Sequence, residues 1–137
     1  MDALELLFSI FTLLVIYQVK HFLCDYPLQG KYMLGKFKPD FGFFLPLLAH
    51  SLVHAFATLL IVLWYSSYIK EISSNLIFEL VLTDLIIHFV MDRIKAGPRY
   101  LGRFKDMMHF SFWWSLGLDQ TVHHLTHYYI IFRLVTA

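Results

Sequence analysis

The chain has 137 residues, of which 58% are hydrophobic and 15% are charged, and its mean hydropathy is +0.61. Soluble domains carry about 25% charged and 45–50% apolar residues, and a chain this short has too much surface to hide the excess apolar side chains in a soluble core. A net charge of +1 and a single cysteine, Cys24, argue against a nucleic-acid partner and a disulfide scaffold. The composition therefore favours an integral membrane protein.

Four hydrophobic segments predict four transmembrane helices in a single domain over 1–137. Each has about the 20 residues that cross a hydrocarbon core of about 30 Å, and a backbone in lipid needs the internal hydrogen bonds of a helix or a closed barrel. Alternating strands that would build a barrel do not occur in the sequence. We predict an all-α four-helix bundle with helices at about 3–25, 46–69, 75–92 and 115–135. The third span is the weakest, because Glu79, Asp84 and His88 interrupt it.

The basic residues predict the topology. All of the eleven lysines and arginines except Lys70 and Arg133 lie at or beyond the end of the first helix or after the third. Basic loops stay in the cytoplasm, so we expect both loops there and both termini outside, in a bacterial inner membrane. The aromatic stretch at about 104–114, FKDMMHFSFWW, predicts a segment that lies along the membrane interface.

Ionisable residues inside the predicted helices recur four positions apart, which places them on one helix face. Such residues almost always face the interior of a membrane bundle. Because neighbouring helices run in opposite directions, the ends of the first and third helices meet the starts of the second and fourth. We therefore expect one cluster near the cytoplasmic side, made of His21, Asp25, His50, His54, His88, Asp92, Asp119 and His123.

Imidazole and carboxylate groups together suit Zn, Mn or Fe, so the cluster predicts a site for one or two divalent metal ions. Asp84 and His127 lie about one turn deeper, and we expect them to orient the ligands. Two other interpretations stay open at this point. The cluster could be a hydrogen-bond network between helices or a pathway for protons or ions.

A basic and polar flank adjoins the predicted cluster. Lys95 and Arg93 are predicted catalytic residues together with Asp119, because cations neutralise a transferring phosphoryl group and a carboxylate serves as a general base. Arg99 and Gln120 are predicted to bind substrate. The same cations would equally set the topology and contact anionic lipid headgroups.

The pattern His-Phe-apolar-sulfur-Asp occurs at 21–25 and again at 88–92, which favours two pseudo-repeated helical hairpins. The motifs HFLCD at 21–25, HSLVH at 50–54, HFVMDRIKA at 88–96 and DQTVHHLTH at 119–127 resemble a family of small bacterial and phage inner-membrane proteins that is catalogued only as a domain of unknown function. The resemblance covers essentially the whole chain and implies the architecture without a reaction. In residue type alone, the chain is also similar to inner-membrane metal-dependent hydrolases.

The function predicted first is a metal-dependent integral membrane hydrolase that acts on a phosphorylated lipid or another anionic amphiphile. The alternatives are a di-iron membrane oxidoreductase with the same ligands, a divalent-cation or proton transporter, and a membrane module with a structural metal. The expected partners are membrane lipid and the amphiphilic substrate. A homo-oligomer stays open, because four helices make a thin bundle.

Overall fold

Four α-helices carry the chain in the computed structural model, which describes residues 2–137. They are α1 (Ala3–Asp25), α2 (Phe44–Tyr68), α3 (Ser74–Ala96) and α4 (Phe110–Thr136), and short 3-10 turns at Met33–Phe37, Phe41–Phe43 and Leu101–Arg103 lie in the connections. No strand occurs within residues 2–137. The predicted all-α class is confirmed.

The helix ends show why these segments begin where they do. Asp2 caps α1 by accepting a hydrogen bond from the backbone N–H of Glu5, whose side chain accepts one from Asp2 in return. Ser73 caps α3 in the same position. Helix α4 begins at Phe110 rather than near 115, directly after the extended residue His109. The aromatic stretch 110–114, expected to lie along the interface, therefore forms the first turns of α4.

Three helical stretches are long and apolar enough to cross a membrane: Ala3–Asp25, Phe41–Tyr68 and Ser74–Arg103. The third segment, expected to be the weakest span, meets this requirement despite its buried charges. Helix α4 is long enough but does not meet the apolar requirement, because Asp119, Gln120 and three histidines lie in its middle. It packs beside α1 and α3 in the bundle, and the fourth membrane span stays a prediction. These properties are those of a helical membrane protein.

The four helices close into a ring in which α2 packs on α3, α3 on α4, and α1 against both α2 and α4. The two ends of the ring differ in chemistry. One end is filled by an apolar core of Leu13, Tyr17, Val62, Tyr65, Ile72, Leu80, Ile130, Ile131 and Leu134. At the other end the same helices bury histidines, aspartates and lysines, while large apolar side chains cover much of the outside.

Candidate metal centre

The predicted ligands meet at the polar end of the bundle. Helices α1 and α3 bring them there near their C-terminal ends, α2 in its first half and α4 near its middle. Asp25 is half-buried. The other predicted ligands and the two predicted supporting residues are buried, namely His21, His50, His54, Asp84, His88, Asp92, Asp119, His123 and His127.

Asp25, His50 and His54 form a first group, in which one ligand atom from each residue lies within 4.8 Å of the others. Asp25 Oδ1 lies 3.0 Å from His54 Nε2 and 3.4 Å from His50 Nε2. His50 Nε2 also lies 3.1 Å from Asp92 Oδ2. Two atoms that each bind one zinc ion at about 2.0–2.2 Å lie roughly 3–3.5 Å apart. This spacing fits ligands that share one ion, and it is also that of the hydrogen bond between His54 Nε2 and Asp25 Oδ1.

Asp92, Asp119 and His123 form a second group with the same mutual reach. Lys36 donates to Oδ2 of Asp92 at 2.7 Å, and Lys95 donates to Oδ2 of Asp119 at 2.6 Å. The other oxygen of each carboxylate faces the imidazole of His123: Asp92 Oδ1 lies 3.7 Å from its Nε2, and Asp119 Oδ1 lies 3.7 Å from its Nδ1. Each carboxylate thus keeps one oxygen for an ion while a lysine holds the other.

His21, His88 and His127 form a third group, which lies deeper along the helices. His21 Nε2 lies 3.2 Å from Gln120 Oε1, and His88 Nδ1 lies 3.1 Å from Asp84 Oδ1. The same Asp84 oxygen is 3.8 Å from His127 Nε2. Asp84 therefore contacts two of these rings, and His127 is a member of the third group itself.

The three groups form one continuous cluster. The ring of His88 lies between those of His54 and His123, with centroid separations of 3.8 Å and 4.2 Å. Asp92 contacts His50 with one oxygen and His123 with the other. Asp92 therefore links the first group to the second, with Oδ2 beside Lys36 and His50 and Oδ1 facing His123.

The donor atoms fit a cation. Among the residues that the structure describes, many buried nitrogens of these rings have no hydrogen-bond partner, and neither does Asp119 Oδ1. A buried polar atom without a partner costs about 1–3 kcal/mol, so a set of them at one place would be stabilised by a cation that accepts one lone pair from each ring. The unpartnered ring atoms are His21 Nδ1, His50 Nδ1, His54 Nδ1, His88 Nε2, both nitrogens of His123, and His127 Nδ1.

A cavity of about 140 Å³, which we call the mouth, leads to the cluster. Two aspartates of the first and second groups reach its wall, and two lysines and two glutamines stand beside them. The polar lining is Asp25, Gln29, Lys36, Asp92, Lys95 and Gln120. The mouth gives small polar molecules access to both carboxylate-containing groups.

One family profile, described as "Protein of unknown function (DUF3307)", matches residues 10–137. The chain belongs to this family. Comparisons with curated proteins and with solved structures gave no significant match. Membership of the DUF3307 family assigns no reaction, so the chemistry has to be argued from the cluster.

Of the residues predicted to act on substrate, the DUF3307 fold brings Lys95 and Gln120 to the cluster and leaves the arginines outside it. Gln120 donates to Asp119 Oδ2 at 3.0 Å, and its Oε1 lies 3.2 Å from His21 Nε2. It therefore contacts two residues of the cluster. Arg93 instead lies over the ring of Phe43, 3.5 Å from its centroid, and contacts the connection between α1 and α2. Arg99 is exposed in the turn after α3.

Two lysines belong to the cluster although the sequence predicts only a role in topology for them, namely Lys20 and Lys36. Lys20 is 5% exposed and donates to Asp84 Oδ2 at 2.8 Å, and Lys36 is 7% exposed. The signal for Lys20 is its register: it falls one turn after the buried Tyr17 and one turn before the buried Cys24. Lys36 lies in a 3-10 turn, where no periodic pattern marks the inward face.

Breaking the Lys20–Asp84 pair is expected to destabilise the bundle. Both side chains are almost completely buried, and an uncompensated buried charge costs about 3–5 kcal/mol. Lys20→Met should therefore lower the thermal unfolding midpoint in detergent, and Lys20→Met/Asp84→Asn should regain most of the loss. Lys31→Met, at an exposed lysine, is the control. Equal midpoints for Lys20→Met and Lys31→Met would contradict the pairing.

Proposed function

We propose that the chain is a metal-dependent hydrolase of the membrane, acting on a phosphate ester of a lipid or another amphiphile. The observation that carries the proposal is the convergence of two Asp/His groups, with unpartnered donor atoms, on a cavity lined by lysines. The first group would hold one divalent ion and the second group another, with Asp92 between them. Zn, Mn and Fe suit this mixture of nitrogen and oxygen ligands.

Bound ions would supply a Lewis acid for the phosphoryl oxygens and an activated water. The residues of the chain would do the rest. Lys95 is one-third exposed at its side chain and faces the mouth, where its ammonium group can contact an incoming phosphate. Lys36 lies on the other carboxylate and would add a second positive charge. A carboxylate or imidazole of the cluster that binds no ion would accept the proton from the attacking water.

The position of the cluster supports hydrolysis over transport. A row of polar residues runs inward from the mouth through the third group to Asp84. This row favours cation transport as the second candidate function. Beyond Asp84, however, the described part of the bundle is closed by the apolar core around Leu80 and Tyr65. A path that ends in apolar packing suits a one-sided site. A di-iron oxidoreductase would use the same ligands. The identity of the metal in the purified protein would distinguish it from the hydrolase.

The metal content of the purified chain tests the centre directly. We expect about two equivalents of Zn, Mn or Fe by elemental mass spectrometry. Asp25→Asn should remove the ion of the first group and Asp119→Asn that of the second, because each substitution deletes an anionic ligand. His109→Ala is the matched control, since His109 is an exposed histidine paired with Asp106. A wild-type chain without metal after reconstitution with each ion would refute the proposal.

The catalytic contribution of Lys95 can be measured separately from metal binding. Dodecyl phosphate is a suitable substrate, since it combines one phosphate ester with one apolar chain. Lys95→Met should lower its hydrolysis by about 10²-fold, the effect of deleting one donor to a charged transition state, while the metal content stays unchanged. Lys31→Met should hydrolyse it normally. Loss of the metal in Lys95→Met would show that the lysine maintains the site instead.

We also propose that the site faces the cytoplasm in a bacterial inner membrane. The exposed cations at the polar end are Lys31, Lys38, Arg99, Arg103 and Lys105, and basic segments stay inside. At the apolar end, Arg133 is paired with Glu79. Alkaline phosphatase fused after Ala137 should therefore be active in a bacterial host, and green fluorescent protein fused there should be dark. The opposite pattern would place the site on the outer side.

A further inference from the structure

An apolar groove lies beside the mouth, at the turn between α3 and α4. It encloses about 360 Å³, a size in the range of small-molecule sites. The turn after α3, the first turns of α4 and one residue of the connection after α1 build its walls. Its apolar lining is Phe37, Ala96, Pro98, Leu101, Phe104, Phe112 and Leu116.

The groove and the mouth are adjacent and share part of their walls. Phe37, Lys95, Ala96 and Leu116 line both cavities. Lys95 therefore stands at the junction, with its ammonium group on Asp119 and its side chain between an apolar groove and a polar chamber. A molecule that fills both cavities must carry a polar head toward the aspartates and an apolar chain away from them.

Backbone hydrogen bonds and close packing fix the wall of the groove. Backbone hydrogen bonds from Tyr100 and Gly102 to the carbonyl of Gly97 close the turn. A Cβ on Gly102 would lie 2.6 Å from the carbonyl oxygen of Ala96, so the turn packs directly on the end of α3. The groove is thus formed by backbone that the helix end fixes.

The charges indicate the sign of the head. Lys95 and Lys105 are the charged residues among the described residues that line the groove, and none there is acidic. In the mouth, Lys36 already neutralises Asp92. At the junction an anionic head would contact Lys95, whose ammonium group also pairs with Asp119, and would meet no carboxylate on the groove side, whereas a cationic head would meet Lys95 and Lys105 there. In the mouth, the ion proposed for the first group would offset the charge of Asp25, which contacts histidines and not a lysine.

We propose that this groove binds the single apolar chain of an anionic phosphate amphiphile whose head enters the mouth beside Lys95. The inference rests on the proposed function for the role of the mouth. The inference adds that the groove selects the substrate. It predicts that the affinity for an amphiphile depends on both its apolar chain and the charge of its head. Bulk lipid would fill an apolar groove without regard to the head.

Binding of dodecylphosphonate tests the groove without any hydrolysis, because its carbon–phosphorus bond is not an ester. We would titrate it by calorimetry into the full-length chain, as purified, in phosphatidylcholine nanodiscs. Saturable binding is expected, with inorganic phosphate and zwitterionic dodecylphosphocholine at least about tenfold weaker. Equal affinity for dodecylphosphocholine would overturn the proposed selection of an anionic head.

A pair of phenylalanines provides the matched variants. Phe112 lines the groove, while Phe110, in the same helix turn, lies outside it and is 75% exposed. Phe112→Ala should weaken dodecylphosphonate about tenfold, the effect of removing part of an aromatic contact surface, and Phe110→Ala should not. If Phe112→Ala does not fold, Leu101→Ala takes its place. Equal affinities of the lining and control variants for dodecylphosphonate would overturn the proposal that the groove binds its apolar chain.

The two proposals fail separately. Dodecylphosphonate binding with the expected variant effects, but no hydrolysis of dodecyl phosphate with any metal, would retain the groove and refute the hydrolase. Hydrolysis of dodecyl phosphate that is insensitive to Phe112→Ala and Leu101→Ala, together with unaltered dodecylphosphonate affinity, would retain the hydrolase and refute the groove.

Discussion

The neutralisation of buried charge is the constraint on which the polar end of this bundle depends. An ionised side chain in hydrocarbon is costly unless a partner compensates it, and three of the four aspartates in the cluster have a lysine within 2.6–2.8 Å. The fourth, Asp25, contacts three histidines instead. The bundle therefore holds its acidic ligands in place with its own cations, and helix packing brings the pairs together: Lys20–Asp84, Lys36–Asp92 and Lys95–Asp119.

The two carboxylate-containing groups occupy corresponding places in two helical hairpins. In the first hairpin, Asp25 at the end of α1 meets the histidines near the start of α2. In the second, Asp92 near the end of α3 lies 3.7 Å from His123 in the middle of α4 and 3.1 Å from His50 of the first hairpin. The matched motifs at 21–25 and 88–92 thus each place an aspartate beside a histidine of the following helix. The hairpins differ where His50 in one corresponds to Asp119 in the other, so the two groups offer different ratios of nitrogen to oxygen ligands.

Much of the cluster was predictable, because its members follow helical spacing. Residues four apart share a face, so His50 with His54 and Asp119 with His123 fix which sides of α2 and α4 turn inward. The all-α class follows from the apolar segments for the same reason. The sequence does not predict the features that lie outside the periodic helical pattern. The start of α4 depends on the backbone at His109, and the partner of a lysine depends on how the chain turns between helices.

Lys36 is a counter-charge supplied by a turn and not by a helix. Its 3-10 turn is held close to α2, since a Cβ on Gly35 would lie 2.7 Å from Pro46 Cγ. An added or deleted residue between α1 and α2 would leave the four helices intact, yet would carry the ammonium group of Lys36 away from Asp92. Insertions and deletions in this connection are therefore expected to disrupt the site, although the connection lies outside the helices.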